Sequence, residues 1–230
     1  MESAVICKGV TKTFGEGASS VDALRGVDLE HKHGELLMIV GPSGSGKTTL
    51  ISIIAGILDA TEGECSVLDH DMRELKNADL TLFRGKKIGF VFQAFNLIPM
   101  LTATENVAVP LLLNGVEYDQ ALAKAADLLK QYGLEDKLDK YPKNLSGGEQ
   151  QRVAIARSCI HEPELIVCDE PTSSLDSETG TKVMELFRQE VLEKNRSLII
   201  VTHDSRIFPF ADRILKLDDG RVVENSTNGH

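Results

Sequence analysis

The chain has 230 residues, 42% hydrophobic and 26% charged, the make-up of an ordinary soluble globular protein with material for a substantial core. Its formal net charge of -10 argues against a broad phosphate-neutralising surface, so no nucleic acid is expected as a partner. No apolar run approaches the roughly 18 residues that cross a bilayer, and Met1, Glu2 and Ser3 do not begin a secretory signal, so the cytosol is the expected location.

Along the chain, short apolar segments at 5–7 and 27–29 alternate with turn-prone ones at 14–20 and 31–34, the pattern of antiparallel strands. Residues 36–40 form a continuous apolar run ending in glycine, as in a strand buried on both faces of a parallel sheet. The helix-period segment after Gly46 completes a strand, loop, helix unit, and similar buried strands are expected at 88–92, 165–168 and 198–201. Two helical segments follow the strand at 88–92, at 104–113 and 119–132. The latter carries Leu122, Ala125, Leu128, Leu129 and Tyr132 on one face, with Gly133 as its C-cap. A parallel crossover needs only about a dozen residues, so 94–159 reads as an inserted helical subdomain. Residues 225–230 read as a loose tail.

Four scattered cysteines, Cys7, Cys65, Cys159 and Cys168, sit among apolar neighbours and read as buried free thiols. The clusters His31, Lys32, His33 and Asp69, His70, Asp71 lie in turn-prone polar segments and read as solvated turns, not metal sites.

Gly41, Pro42, Ser43, Gly44, Ser45, Gly46, Lys47 and Thr48 fit G-x-x-x-x-G-K-[ST], placed after a buried strand and opening a helix. Glycines let successive N–H groups wrap the phosphates, Lys47 reaches the β and γ oxygens, the Thr48 hydroxyl suits Mg²⁺, and Thr49 lies beside it in the helix's first turn. The fold expected is α/β: a P-loop NTPase (RecA-like) core at 1–93 and 160–230 with an N-terminal antiparallel β subdomain, and the helical insert at 94–159. Asp169 and Glu170 end an apolar strand. They read either as a solvated loop or as a divided pair, Asp169 in the Mg²⁺ shell and Glu170 polarising the water that attacks the γ-phosphate. Gln93, placed to touch the metal shell, and His203, placed to hydrogen-bond the γ-phosphate, end two further strands. Each alone is as readily a cap or surface residue; together they share the ligand side of an open α/β sheet.

Leu145, Ser146, Gly147, Gly148, Glu149 and Gln150 form a second glycine-rich loop, opening a helix that runs through Arg157. One triphosphate needs one such loop. The surplus either faces a second anion with its free N–H groups, which implies a dimer, or is a plain helix cap.

In this order the loop at 41–48, Gln93, the loop at 145–150, Asp169 with Glu170, the run Ser174, Leu175, Asp176, and His203 resemble the ATP-binding subunit of an ABC transporter over almost the whole chain. The resemblance implies that Ser146 and Gly148, in one loop with Gly147 and Glu149, contact the γ-phosphate bound by another protomer. It implies that Asp176 lies in a loop linking the two sites, and that Phe14 stacks on adenine where many members carry tyrosine, with loss of a hydroxyl only. ATP and Mg²⁺ are the implied cofactors, and the implied partners are a second copy, on ATP binding, and an integral-membrane permease. The implied place is cytoplasmic, peripheral on the inner face of the membrane through that permease. Residues 21–29, 90–99 and 101–107 resemble a narrower bacterial group that includes lipoprotein-releasing, macrolide-export and cell-division ATPases. The apolar stretch 94–101 reads as core of the helical insert or as a groove for a short permease helix. Two other outputs stay open: regulation of an envelope enzyme through a membrane partner without transport, and a soluble ABC ATPase acting on nucleic acid or ribosomes.

Overall fold

The computed structural model describes residues 3–173, 175–193 and 196–227, less the side chains of Ala18 and residues 190–193; Met1, Glu2, Ser174 and the end of the tail lie outside the described residues. Strands β1 (Ser3–Phe14) and β2 (Val21–Lys32) pair antiparallel. With β4 (Glu62–Val67) and the short β5 (His70–Asp71) they form a four-stranded sheet in the order β2-β1-β4-β5. The second sheet contains β3 (Leu36–Val40), β6 (Ile88–Val91), β7 (Leu165–Asp169), β8 (Ser197–Val201), β9 (Arg213–Asp218) and β10 (Arg221–Thr227). Its order is β10-β9-β3-β8-β7-β6, parallel throughout except where β10 runs antiparallel to β9.

The apolar runs at β3, β7 and β8 are continuous because successive side chains of a strand serve opposite faces and both faces here are dry. Leu36, Met38, Ile166, Cys168, Leu198 and Ile200 enter one core; Leu37, Ile39, Leu165, Val167, Ile199 and Val201 enter the other. Helix α1 (Lys47–Ile54) and the antiparallel sheet fill the second core. Helices α3 (Ala103–Leu113), α4 (Tyr118–Gln131), α5 (Gly147–Cys159) and α6 (Ser177–Glu193) contribute to the first. The α4 face turned inward is Ala121, Ala125, Leu129 and Tyr132, with Leu122 and Leu128 packed at its edge. Gly133, at φ 66, takes the left-handed position after that helix.

The structure corrects four readings. Helix α2 (Asn77–Lys87) was not expected, since Phe83 is its one buried residue and its few apolar residues show no long buried stripe. The tail continues as β10 to Thr227, paired to β9. His70 and Asp71 form β5, and the His70 ring lies 4.9 Å from that of Phe83. His31 is not solvated but fully buried in β2. Its Nδ1 lies 3.0 Å from Glu35 Oε2, and burial lowers the imidazole's pKa, so the neutral ring donates to the carboxylate. Arg213 Nε donates to Glu35 Oε1 at 2.6 Å and its Nη2 to the Glu30 carbonyl, riveting β9 of one sheet to the end of β2 in the other. All four cysteines are buried thiols outside any disulfide, as expected.

Candidate functional site

The segments that follow β3, β6, β7 and β8 meet at one cleft of about 580 Å³ on the carboxyl side of the parallel sheet. Its wall contains Gly41, Pro42, Ser43, Gly44, Gly46, Lys47, Thr48 and Thr49, then Gln93, Asp169, Glu170 and His203. Ser45 lies beneath, its hydroxyl buried without a partner among the described residues and its carbonyl accepting from Gly220 N–H at 3.1 Å.

The turn between β3 and α1 is tight enough to require glycine at two points. A Cβ on Gly41 would stand 2.0 Å from the Leu217 carbonyl oxygen, and one on Gly46 (φ 100) 2.4 Å from that of Ala23. Gly46 occupies the N-cap of α1 and brings no side-chain oxygen, so the first-turn N–H groups face the cleft uncapped. Lys47 Nζ donates to the carbonyls of Gly41 (2.9 Å) and Pro42 (2.7 Å), which places the ammonium inside its own loop.

Thr48 Oγ1 donates to Asp169 Oδ2 at 3.0 Å, joining the first helix to the end of β7. Burial pushes the Asp169 carboxyl above its usual range, and Glu170 pushes the same way, against the Thr48 hydrogen bond and the Lys47 ammonium. Glu170 has a left-handed backbone, φ 53, fixed by its N–H donating to the Val201 carbonyl at 2.9 Å. Its nearly buried carboxylate lies 2.7 Å from His203 Nδ1, whose ring is largely exposed. The loop bearing His203 is tied back by Thr172 Oγ1, which donates to Asp204 Oδ2 at 3.1 Å. β6 and β8 end at Val91 and Val201, so Gln93 and His203 stand on the loops just beyond them, not on the strands.

The other expected residues are placed elsewhere. Ser146 caps α5 in a reciprocal box: Glu149 N–H donates to Ser146 Oγ at 3.3 Å, and Ser146 N–H to Glu149 Oε2 at 2.7 Å. Among the described residues no group accepts from the N–H of Gly147 or Gly148, and neither lines the 580 Å³ cleft. Asp176 caps α6, accepting from Thr179 N–H (3.0 Å) and Thr179 Oγ1 (2.7 Å). That segment abuts the Ser146 turn, for a Cβ on Gly148 would meet Leu175 at 3.4 Å. Phe14 is 42% exposed, paired across the strands with exposed Val21, and is not part of the cleft wall. Ala23 and Val201, which are, carry no chemistry that a sequence would flag. Lys137, 3.4 Å from Glu149, was also not foreseen; only its positive charge some way before an acidic cap hints at it.

A family model described as ABC transporter matches residues 24–173, a span that includes the loop at 41–48, Gln93, the Ser146 turn, Asp169 and Glu170. HrtA of Staphylococcus aureus strain MRSA252, an ATP-binding protein named for hemin import, is 41% identical over 223 residues, 96% of this chain and 100% of its own length. Among solved structures, the cassette MJ0796, as a dimer in a post-hydrolysis state bound to ADP and Pi, is 42% identical with a TM-score of 0.93, covering 98% of this chain and 100% of its own. CbiO1 of Clostridium perfringens, part of an ABC transporter complex, is 27% identical with a TM-score of 0.86, covering 99% of this chain and 89% of its own.

Proposed function

The chain belongs to the ABC transporter family as an ATP-binding, ATP-hydrolysing cassette, and from that premise we propose that two copies close on two MgATP and drive a membrane permease. One observation carries this reading. The cleft gathers the groups for phosphate and water chemistry, while the open N–H groups of Gly147 and Gly148 belong to a helix outside it. A second copy supplies what each cleft lacks, with Ser146 and Gly148 on the γ-phosphate bound by its partner and Glu149 holding the turn. The dimeric MJ0796 with ADP and Pi supports this arrangement.

On binding, the N–H groups of the 41–48 loop take the phosphates, and Lys47 exchanges its two carbonyl partners for phosphate oxygens. Glu170 orients a water toward the γ-phosphorus and accepts its proton as the bond to the β-phosphate oxygen breaks, giving ADP and phosphate. His203 stands between that carboxylate and the γ-phosphate, and Gln93 senses the site from the β6 side. The Thr48 hydroxyl and Asp169 carboxylate, 3.0 Å apart, are hard oxygen donors that fit Mg²⁺, with Gln93 in reach of the same shell. When bound, the ion neutralises phosphate charge and relieves the burial cost of an ionised Asp169. Asp176, beside the Ser146 turn, links the two sites across the dimer, and Phe14 stacks on adenine from the open end of β1.

No helix among the described residues is long and apolar enough to cross a membrane. In this proposal the permease holds the chain at the inner face. Ile98 and Met100, exposed just after Gln93, favour the groove reading of 94–101 for a short permease helix. Cargo follows the permease. The motifs at 21–29 and 90–107 favour a lipoprotein-release or macrolide-export type, and the likeness to HrtA favours hemin as a second cargo reading. ATPase stimulation in vesicles holding the permease, with each cargo class offered, separates the two.

Glu170→Gln tests the core of the proposal. With MgATP it slows turnover by about 10²- to 10⁴-fold and accumulates a dimer by light scattering. Unchanged turnover overturns the role of Glu170, and a chain that stays monomeric with ATP overturns the composite site.

A further inference from the structure

One residue beyond Gln93 the backbone holds two consecutive left-handed residues, Phe95 (φ 59) and Asn96 (φ 49), neither of them glycine. Such a pair persists only where the surroundings impose it. The restraint is Arg157, on α5: Nη1 donates to the Asn96 carbonyl at 2.6 Å and Nη2 to the Phe95 carbonyl at 2.7 Å. Among the described residues no carboxylate pairs with this half-buried guanidinium, so its fork is spent on fixing the direction of two carbonyls.

A second side chain fastens the next residues. Fully buried Asn106, on α3, donates to the carbonyls of Ile98 (3.1 Å), Leu101 (3.0 Å) and Thr102 (3.0 Å), and accepts from Ile98 N–H at 2.7 Å. The segment 95–102 is therefore tied to α3 and α5. Between it and the end of β6 at Val91 only Phe92, Gln93 and Ala94 intervene. The same α5 is opened by Ser146, whose turn lies roughly 16 Å from Arg157 at 1.5 Å of rise per residue.

We propose that Arg157 is a positioning residue for ATP hydrolysis: it fastens the Phe95 and Asn96 carbonyls to the helix that Ser146 opens, so that engagement of the Ser146 turn and the placing of Gln93 in the cleft occur together. This rests on the two-copy reading above. The helix acts as a rod with a phosphate-binding turn at one end and a grip on the Gln93 loop at the other.

The test is a double-mutant cycle on the full chain with Arg157→Lys, which keeps the charge but not the fork, Arg157→Gln, and Gln93→Ala. Each Arg157 variant lowers kcat roughly tenfold with the KM for ATP within about twofold. In the Gln93→Ala background it lowers kcat no further, because the group it positions is gone. Amide exchange of residues 94–101 quickens in both Arg157 variants, while that of α1 and α4 is unchanged. Full kcat in Arg157→Lys and Arg157→Gln, additive losses in the cycle, or unaltered exchange at 94–101 each overturn the inference. Failure of Glu170→Gln to pair with ATP overturns the two-copy reading instead, whatever the Arg157 variants do.

Discussion

Ser146→Asp separates a phosphate-facing turn from a helix cap. Asp is as good an N-cap as Ser, so the Glu149 N–H now donating to Ser146 Oγ at 3.3 Å keeps an acceptor. The new carboxylate gains from the helix N-terminus and loses from nearby Glu149, which Lys137 partly offsets at 3.4 Å. The net change in stability is within about 1 kcal/mol, a shift of Tm within roughly 2–4 °C for a chain of this size. Against a partner's γ-phosphate the same carboxylate is a like charge at contact distance. Two unit charges about 4 Å apart at an effective dielectric near 20 repel by about 4 kcal/mol, a factor of about 10³ at each site. A contact that close lies inside the Debye length of about 8 Å at 0.15 M salt, so the penalty persists in physiological buffer. The assay is light scattering of Glu170→Gln and of Ser146→Asp/Glu170→Gln with MgATP, alongside nucleotide affinity of the single chain and thermal unfolding. Affinity and Tm hold while the dimer is lost. Pairing as tight as in Glu170→Gln alone would refute the reasoning and leave the loop a cap, and a Tm fall beyond about 5 °C would assign any loss of pairing to the helix instead.

Gly46→Ala places a methyl 2.4 Å from the Ala23 carbonyl oxygen at φ 100, whereas Gly44→Ala (φ 80) meets nothing within 4 Å. Thermal unfolding shows a loss of about 2–3 kcal/mol for Gly46→Ala and about 1 kcal/mol for Gly44→Ala; equal losses would contradict the packing described. Burial works to raise the Glu35 carboxyl, but hydrogen bonds from His31, Arg213 and the Lys32 N–H prevail and hold it well below the usual carboxylate range. A folded-state value below the unfolded one stabilises above the unfolded pKa of about 4.3 and is lost as pH falls toward the folded value. Denaturant unfolding therefore shows stability declining below about pH 5, and Glu35→Gln flattens that limb while costing about 2–3 kcal/mol at pH 7; a limb unchanged by the substitution would remove Glu35 from its cause.

The strands that carry the site were legible because burial on both faces leaves an unbroken apolar run, as in Leu36–Val40 and in residues 165–168. β9 and β10 were not, since Lys216 faces solvent in one and most of the other is exposed at the sheet edge. His31 was misread for a different reason. Its neighbours Glu30, Lys32 and His33 are polar, and nothing local reveals that Glu35 and Arg213 converge on one rivet. The loop at 41–48 was legible because its chemistry is written in glycines and a lysine at fixed spacing. The role inferred for Arg157 was invisible because its partners are backbone carbonyls, which every residue possesses.

The backbone at Glu170 sets terms on what can replace it. At φ 53 its carboxylate sits in a conformation that costs a side-chain-bearing residue about 1 kcal/mol or more and glycine almost nothing. Glycine, or asparagine, at this position therefore yields a sturdier chain with no base to offer a water, while valine or isoleucine yields one that is both inert and weakened. A screen for thermal tolerance alone drifts toward the inert, sturdy variants, and a screen for turnover alone restores glutamate. The residue proposed to begin hydrolysis is thus one that the fold, left to its own preference, would discard.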